Sequence, residues 1–170
     1  MHTNQPKIGV IGVGHLGQHH VKHFSKMKNI CFSGLFDKNP KRAEKIASLY
    51  KIKNFNSQEK LIDSCDGLSI VTPTANHFKT ALACLKKGKH VFIEKPITDS
   101  VEAADILLNE AKKNNVFIQV GHIERLNPAL LAIKDYKIKP KFIEIQRLAP
   151  YTVRGTDVPV VLDLMIHDID

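Results

Sequence analysis

The stretch that decides the fold is KIGVIGVGHLGQHHVKHF, residues 7–24 of a 170-residue sequence. Its first six residues are a short, mostly apolar run that ends in glycine, which is typical of a strand buried on both faces of a sheet. A segment of helical length follows over residues 15–27, and Gly12, Gly14 and Gly17 form a GxGxxG pattern at the junction. A strand, a glycine turn and a helix in this order predict the first unit of a dinucleotide-binding fold.

Candidate strands and helices alternate through residue 121. Strands are predicted over residues 7–12, 30–37, 66–72, 90–95 and 116–121, and helices over residues 15–27, 39–50, 76–87 and 99–115. Such alternation predicts an α/β fold, a doubly wound parallel sheet of the Rossmann type with right-handed crossovers. We assign residues 1–121 to this domain.

Several helix ends carry local signals. Asn39 is a candidate N-cap followed by proline at the first helical position, and Gly88 is a candidate stop signal. The segment from Asp99 to Glu102 resembles a capping box. The apolar stripe predicted for the helix that follows it consists of Val101, Ala104, Leu108 and Ala111.

The alternation ends after residue 121. A single strand is predicted over residues 140–150 and the start of a helix over residues 157–170. Two such elements cannot bury their own apolar faces. Residues 122–170 are therefore expected to be the incomplete start of a second domain.

The composition excludes several classes of protein. A hydrophobic fraction of 43% argues against disorder, and the net charge of +8 comes from scattered lysines without a basic stripe, so no nucleic-acid partner is expected. A basic surface suits an anionic substrate or cofactor. Cys31, Cys65 and Cys84 lie in apolar settings and are expected to be small buried hydrophobic residues rather than disulfide partners or metal ligands. No signal peptide or membrane-spanning stretch is recognisable, so a cytoplasmic protein without a membrane partner is expected.

The glycine turn predicts a phosphate site. Gly12 would allow the tight turn, Gly14 the approach of a pyrophosphate, and Gly17 close packing of helix on strand. Asp37, at the end of the second strand, would accept hydrogen bonds from ribose hydroxyls, which favours NAD over NADP, although Lys38 weakens that preference. The alternative is a glycine turn without a ligand and an aspartate that caps the next turn.

His15 and Leu16 lie inside the glycine turn and are predicted beside the cofactor phosphates. His15, His19 and His23 recur at a spacing of four residues, which raises the possibility of a metal site. No cysteine or carboxylate nearby completes a ligand set, so a solvated helix face is expected and no metal is assigned.

Two further strand ends carry polar residues. Thr72 and Pro73 are predicted to pack near the cofactor, with His77 within reach of it; a plain helix start is the alternative. Glu94 and Lys95 end the next strand, where the lysine could orient a hydroxyl, the alternative being a solvent-facing ion pair.

The last segment contains a possible acid–base pair. Asp163 and His167 are four residues apart on a predicted helix, with Asp170 close by, so a carboxylate could orient the imidazole as a general base. A surface ion pair on an amphipathic helix is the alternative.

Together these motifs resemble one family. GxGxxG near the N-terminus, TP and NH within residues 72–77, EKP at residues 94–96 and DLMIHDID at residues 163–170 resemble the glucose–fructose oxidoreductase, inositol dehydrogenase and MocA (Gfo/Idh/MocA) family. The resemblance implies a Rossmann domain followed by an α/β substrate domain with an open, mostly antiparallel sheet. Thr74 departs from the family, which often has asparagine there.

The resemblance also implies roles for individual residues. Lys95 and His167 would be the catalytic pair, with Asp163 beside them. The residues along the NAD cofactor would be Glu94, Thr72, Pro73 and His77.

Two stretches, residues 120–129 and 147–170, most resemble family members that oxidise the 3-hydroxyl of UDP-N-acetylglucosamine on the way to lipid A. This implies substrate or diphosphate contacts by Arg125, Asn127 and Arg154, with surface packing as the alternative. The expected function is NAD-dependent hydride transfer from the 3-hydroxyl position of a UDP-N-acetylhexosamine, in a full-length form that is a homo-oligomer. The alternative is a truncated, catalytically silent NAD-binding module.

Overall fold

A computed structural model describes residues 5–137, 139–146, 148 and 159–170. The strands are β1 (Lys7–Ile11), β2 (Cys31–Phe36), β3 (Gly67–Ile70), β4 (His90–Ile93) and β5 (Ile118–Val120). The α-helices are α1 (Gly17–Phe24), α2 (Pro40–Tyr50), α3 (Gln58–Asp63), α4 (His77–Lys86), α5 (Val101–Lys113), α6 (Pro128–Ile133) and α7 (Ile166–Ile169). The short helix α3, which the sequence patterns did not predict, begins after Ser57, whose side chain accepts a hydrogen bond from the Lys60 amide.

The five strands form one parallel sheet in the order β2-β1-β3-β4-β5. The strand order reverses between β1 and β3, and open α/β sheets bind ligands at the carboxyl ends of the strands beside such a reversal. The predicted doubly wound parallel sheet is confirmed.

A remnant of a further strand flanks β2. Leu35 forms a single parallel bridge with Asn54. The Leu35 amide donates to the Lys53 carbonyl (3.0 Å), and the Leu35 carbonyl accepts from the Phe55 amide (2.9 Å). The segment occupies the outer position next to β2, which strand 3 takes in the order 3-2-1-4-5-6.

The helix caps match the sequence signals in part. Asn39 accepts a hydrogen bond from the Arg42 amide (3.1 Å) and Pro40 is the first residue of α2, as predicted. The cap of α5 is Ser100, whose extended backbone lets its hydroxyl accept from the Ala103 amide (3.2 Å). The predicted capping box beginning at Asp99 is therefore wrong by one residue.

The predicted apolar stripe of α5 is also partly wrong. Leu107 and Ala111 are buried, whereas Val101 and Leu108 are 72% and 45% exposed. Two apolar stripes on this helix have helical spacing, and packing against α4 and the sheet decides which of them is buried.

A hydrophobic core lies on each face of the sheet. One contains Leu61, Leu85 and Leu107 from α3, α4 and α5, and the other contains Val21 and Ile46 from α1 and α2. In the described part of the chain, no helix is both long and apolar enough to span a membrane.

The segments after residue 122 depart from the prediction. The strand predicted over residues 140–150 is wrong for residues 140–146 and 148, which have no regular secondary structure. A strand needs a hydrogen-bonding neighbour, and none of the described residues supplies one. The helix predicted over residues 157–170 is present in its second half, as a π-helical stretch (Val161–Met165) that continues into α7.

The prediction that all three cysteines are buried is confirmed for Cys65 and Cys84 and is wrong for Cys31. Desolvation raises the pKa of the Cys65 thiol and raises that of Cys84 to about 12, whereas Cys31 is exposed. For Cys84 this means a thiolate fraction on the order of a thousandfold below that of an ordinary thiol.

We expect a thiol reagent to label Cys31 alone in the folded protein, and all three cysteines in denaturant, as measured by mass spectrometry. Labelling of Cys84 as fast as Cys31 under native conditions would contradict this packing.

Candidate active site

A large cleft opens at the carboxyl ends of the strands. Its volume is about 1820 Å³, above the several hundred cubic ångströms typical of small-ligand pockets. Most predicted site residues line it: Gly12, Gly14, His15, Leu16, Asp37, Thr72, Pro73, His77, Glu94, Lys95, Asp163 and His167. The fold therefore brings together residues that are far apart in the sequence.

The glycine turn packs tightly on one side and is open on the other. Gly12 has a φ of +90°, and a Cβ at Gly17 would lie 2.0 Å from the Gly12 carbonyl oxygen, so α1 rests directly on the turn. A Cβ at Gly14 would meet only the Arg42 guanidinium, at 3.4 Å, and Gly14 lines the cleft. This cradle, which a side chain at Gly14 would fill, fits a pyrophosphate.

Asp37 holds the glycine turn in place. Its Oδ2 accepts a hydrogen bond from the Val13 amide (2.8 Å) and its Oδ1 accepts one from the Asn39 amide (2.7 Å). The carboxylate can still accept further hydrogen bonds, because each oxygen has two lone pairs. The contact with the Asn39 amide is the turn cap that the alternative interpretation predicted, whereas the contact with the Val13 amide was not predicted; the ribose contact stays a prediction.

Basic side chains surround this carboxylate. Arg42 Nε lies 3.8 Å from Asp37 Oδ1, and Lys38 and Lys41 line the same part of the cleft. This end of the cleft therefore combines an acceptor for ribose hydroxyls with cations that suit phosphate groups.

The loop after β3 has a different character. The Thr72 hydroxyl is buried and has no hydrogen-bond partner among the described residues. His77 is almost completely buried, and its two ring nitrogens face main-chain carbonyl oxygens rather than the open cleft. The predicted contact of His77 with the cofactor stays a prediction, and both ring nitrogens already have protein partners.

Glu94 belongs to a hydrogen-bonded row of side chains. Its Oε1 lies 3.0 Å from His20 Nε2, and His20 Nδ1 lies 2.9 Å from the hydroxyl of Ser69, which is 1% exposed on β3. With the ring proton on Nε2, His20 donates to Glu94 and accepts from Ser69, so the neutral ring satisfies both contacts.

His20 and Ser69 were not predicted from the sequence as site residues. One signal was available, because β3 (GLSI) is buried at all four positions and a buried serine hydroxyl needs a partner. Its partner on α1, 49 positions earlier, could not be deduced from spacing.

Lys95 and Asp163 form an ion pair in the cleft. Lys95 Nζ lies 2.8 Å from Asp163 Oδ1 and 2.6 Å from the Asp163 carbonyl oxygen. The sequence pattern predicted that Asp163 pairs with His167, whereas in the structure the Asp163 carboxylate binds Lys95. An orienting effect of Asp163 on His167 stays a prediction. Lys95, Asp163 and His167 all line the cleft.

Two of the predicted substrate residues, Arg125 and Asn127, make contacts outside the cleft. Arg125 binds the Asp170 carboxylate through Nε and Nη2, and this contact lowers the pKa of Asp170 and raises that of Arg125. Asn127 caps α6 by accepting from the Ala129 amide (3.0 Å). Neither residue lines the cleft, and Arg154 lies outside the described residues.

The chain is similar in sequence to a group of oxidoreductases. A profile of an oxidoreductase family with an NAD-binding Rossmann fold matches residues 6–122. UDP-N-acetylglucosamine 3-dehydrogenase of Acidithiobacillus ferrooxidans is 39% identical over 165 residues, which are 96% of this chain and 52% of that enzyme. Glucose-6-phosphate 3-dehydrogenase of Bacillus subtilis is 36% identical over 115 residues, which are 68% of this chain and 33% of that enzyme.

The fold is similar as well. A solved structure of the Acidithiobacillus ferrooxidans enzyme superposes with a TM-score of 0.89 at 38% identity, covering 96% of this chain and 54% of that one. The chain thus spans about half the length of this relative, and less of the Bacillus subtilis enzyme.

The glycine turn gives a direct test of the cofactor cradle. We expect Gly14→Ala to fold normally, because its Cβ meets only a flexible arginine tip, and to weaken NAD binding at least about tenfold, because the methyl group fills the phosphate cradle. Calorimetry and thermal melting measure the two effects. Gly17→Ala is the comparison variant and should fail to fold, because its Cβ would overlap the main chain. Unchanged NAD affinity in Gly14→Ala would place the phosphates elsewhere.

Proposed function

Because the chain belongs to the Gfo/Idh/MocA family of oxidoreductases with an NAD-binding Rossmann fold, we propose that it is part of an NAD-dependent sugar dehydrogenase. We propose that the substrate is a UDP-N-acetylhexosamine, oxidised at its 3-hydroxyl. The observation that carries the proposal is the Lys95–Asp163 ion pair on the wall of the cleft that also contains the glycine turn and Asp37. We keep the domain boundary after residue 121 as part of this proposal.

In this proposal the two ends of the cleft bind different halves of NAD. Asp37 and the glycine turn lie beyond β2 and β1, and they are suited to the adenosine ribose and the pyrophosphate of NAD. The other half of the dinucleotide then lies on the far side of the strand-order reversal, beyond β3 and β4, where Thr72, Glu94 and Lys95 line the cleft. When bound, NAD supplies the acceptor for the hydride that leaves the sugar carbon.

Lys95 is suited to hold the reacting oxygen. Its side chain is 14% exposed and its ammonium already donates to two oxygens of Asp163. An ammonium has three donors, so Lys95 can bind a sugar hydroxyl while Asp163 keeps it charged and in place. A fixed positive charge at that point stabilises the negative charge that develops on the oxygen during oxidation.

His167 is the proposed base. In this scheme the hydroxyl proton passes to the His167 ring as the carbon–oxygen double bond forms and the carbon loses its hydride. The proton and the hydride thus leave the sugar by separate routes.

A nucleotide sugar fits the charge of the chain. The net charge of +8 and the basic residues around the cleft suit a substrate that carries a diphosphate. The similarity to a UDP-N-acetylglucosamine 3-dehydrogenase supports this choice. Arg125 and Asn127 already contact Asp170 and Ala129, so either residue would have to share or release that contact in order to bind the substrate.

The proposal also includes the cellular compartment and the oligomeric state, a cytoplasmic and homo-oligomeric enzyme. Free thiols at Cys31, Cys65 and Cys84 are consistent with the cytoplasm, where disulfides are rare. Exposed apolar side chains on α6, including Leu130 and Leu131, are consistent with further contacts in a homo-oligomeric full-length enzyme.

The proposed chemistry predicts a specific effect of removing the lysine charge. In the full-length enzyme we expect Lys95→Met to lower turnover of UDP-N-acetylglucosamine by a factor on the order of a thousand or more, with NAD affinity within about twofold. The absorbance of reduced nicotinamide measures turnover and calorimetry measures affinity. Lys112→Met, which removes an exposed charge at the end of α5, is the matched control and should leave both values unchanged.

The substrate is tested with the unaltered protein. UDP-N-acetylglucosamine should reduce NAD, whereas N-acetylglucosamine without the nucleotide should react at least about a hundredfold more slowly, because it lacks the binding energy of the diphosphate. NAD binding without reduction by either sugar would favour the alternative, a catalytically silent NAD-binding module. Unchanged turnover in Lys95→Met would overturn the role of the lysine.

A further inference from the structure

His77 occupies an unusual position beneath the cleft. It is the first residue of α4 and is 1% exposed. Its Nδ1 lies 2.8 Å from the Pro96 carbonyl oxygen and its Nε2 lies 2.9 Å from the Thr72 carbonyl oxygen. The ring therefore joins two separate segments of main chain.

Those two segments leave the sheet side by side. β3 and β4 are paired in parallel as far as Ile70 and Ile93, and the Glu94 amide donates to the Ile70 carbonyl at 3.1 Å. Thr72 and Pro96 lie just beyond this last contact, where regular pairing of the strands has ended. The His77 ring bridges the two chain segments at the level where the ladder stops.

Both segments line the half of the cleft opposite Asp37. Thr72 and Pro73 form one part of the wall, and Lys95 and Pro96 form the next. The distance between them sets the width of this half, and Lys95 immediately precedes the residue whose carbonyl His77 holds.

We propose that His77 is a positioning residue, which fixes the Thr72–Pro73 and Lys95–Pro96 segments at the spacing that the nicotinamide half of NAD requires. In this role His77 does not contact the atoms that react, and it acts through the Thr72 and Pro96 carbonyls. The inference depends on NAD binding alone and not on the sugar substrate proposed above.

The shape of the ring explains why histidine stands here. Its two nitrogens have fixed positions in a rigid planar ring, and each faces a different carbonyl oxygen. Both partners are carbonyl oxygens, which only accept, so a doubly protonated ring donates to both, whereas a neutral ring donates to one of them. An asparagine has its donors on a single nitrogen and can keep one carbonyl, whereas phenylalanine fills a similar space and keeps neither.

A comparison of two ligands separates positioning from general stability. NAD occupies both halves of the cleft, whereas ADP occupies only the half that contains the glycine turn and Asp37. Loss of the bridge should weaken NAD binding and spare ADP binding, whereas a general loss of structure weakens both.

The experiment measures NAD and ADP dissociation constants by calorimetry on the full chain, with thermal melting of each variant. For His77→Phe we expect NAD to bind about tenfold more weakly and ADP to bind within about twofold of the unaltered chain, with a smaller NAD effect in His77→Asn. His90→Phe is the matched control. It removes a ring nitrogen that accepts from the Phe117 amide (3.1 Å) at the opposite end of β4, and should change neither constant.

Four outcomes would overturn the inference: equal losses for NAD and ADP, no loss for NAD, loss of ordered structure in both His77 variants, or no NAD binding by the unaltered chain. The first and third would make His77 a folding residue. The second would leave the spacing of the two segments independent of the ring. A selective NAD loss that is larger for phenylalanine than for asparagine supports it, whatever the outcome of the sugar assay.

Discussion

The main chain of α1 packs on the turn after β1 so closely that no side chain fits between them. A Cβ at Gly17 would lie 2.0 Å from the Gly12 carbonyl oxygen. This contact fixes where α1 begins, and with it the position of the Val13 amide, which Asp37 binds at 2.8 Å. The glycine turn and the ends of β1 and β2 therefore form one unit, and the cofactor cradle is a property of the main chain more than of its side chains.

The other half of the cleft is held differently. Beyond β3 and β4 the segments diverge, and three side-chain contacts hold them: His77 to Thr72 and Pro96, His20 to Glu94, and Lys95 to Asp163. Side-chain contacts of this kind are more easily changed by substitution than a backbone turn is. We infer that the half of the cleft proposed for the chemistry can vary while the half proposed for the adenosine and the pyrophosphate stays constant.

Much of the fold could be predicted because buried parallel strands appear as short apolar runs with glycine or polar residues at their ends. The runs before Gly12 and Thr72 indicated where β1 and β3 end, and Asn39 followed by proline indicated the start of α2. Strand-end position and helical spacing indicated Lys95, Asp163 and His167 as candidates, the family resemblance implied their catalytic roles, and all three line the cleft.

What could not be predicted depends on contacts between distant residues. The pairing of Asp163 with Lys95 joins residues 68 positions apart, and that of His20 with Ser69 joins residues 49 apart. Helical periodicity could not distinguish the two apolar stripes of α5, because only packing on α4 and the sheet buries Leu107 and exposes Leu108. Residues 140–146 have the apolar content of a strand, but a strand also depends on a neighbour that local sequence cannot reveal.

The π-helical stretch Val161–Met165 sets a constraint on the length of the chain. It contains Asp163, which lines the cleft, and it continues into α7; each residue added to or removed from a helix rotates everything after it by about 100°. Substitutions within the stretch leave that rotation unchanged, whereas the deletion of a single residue would carry His167 about a quarter of a turn around the helix axis. Among homologous sequences, insertions and deletions should therefore be rarer between Asp163 and His167 than changes of residue type.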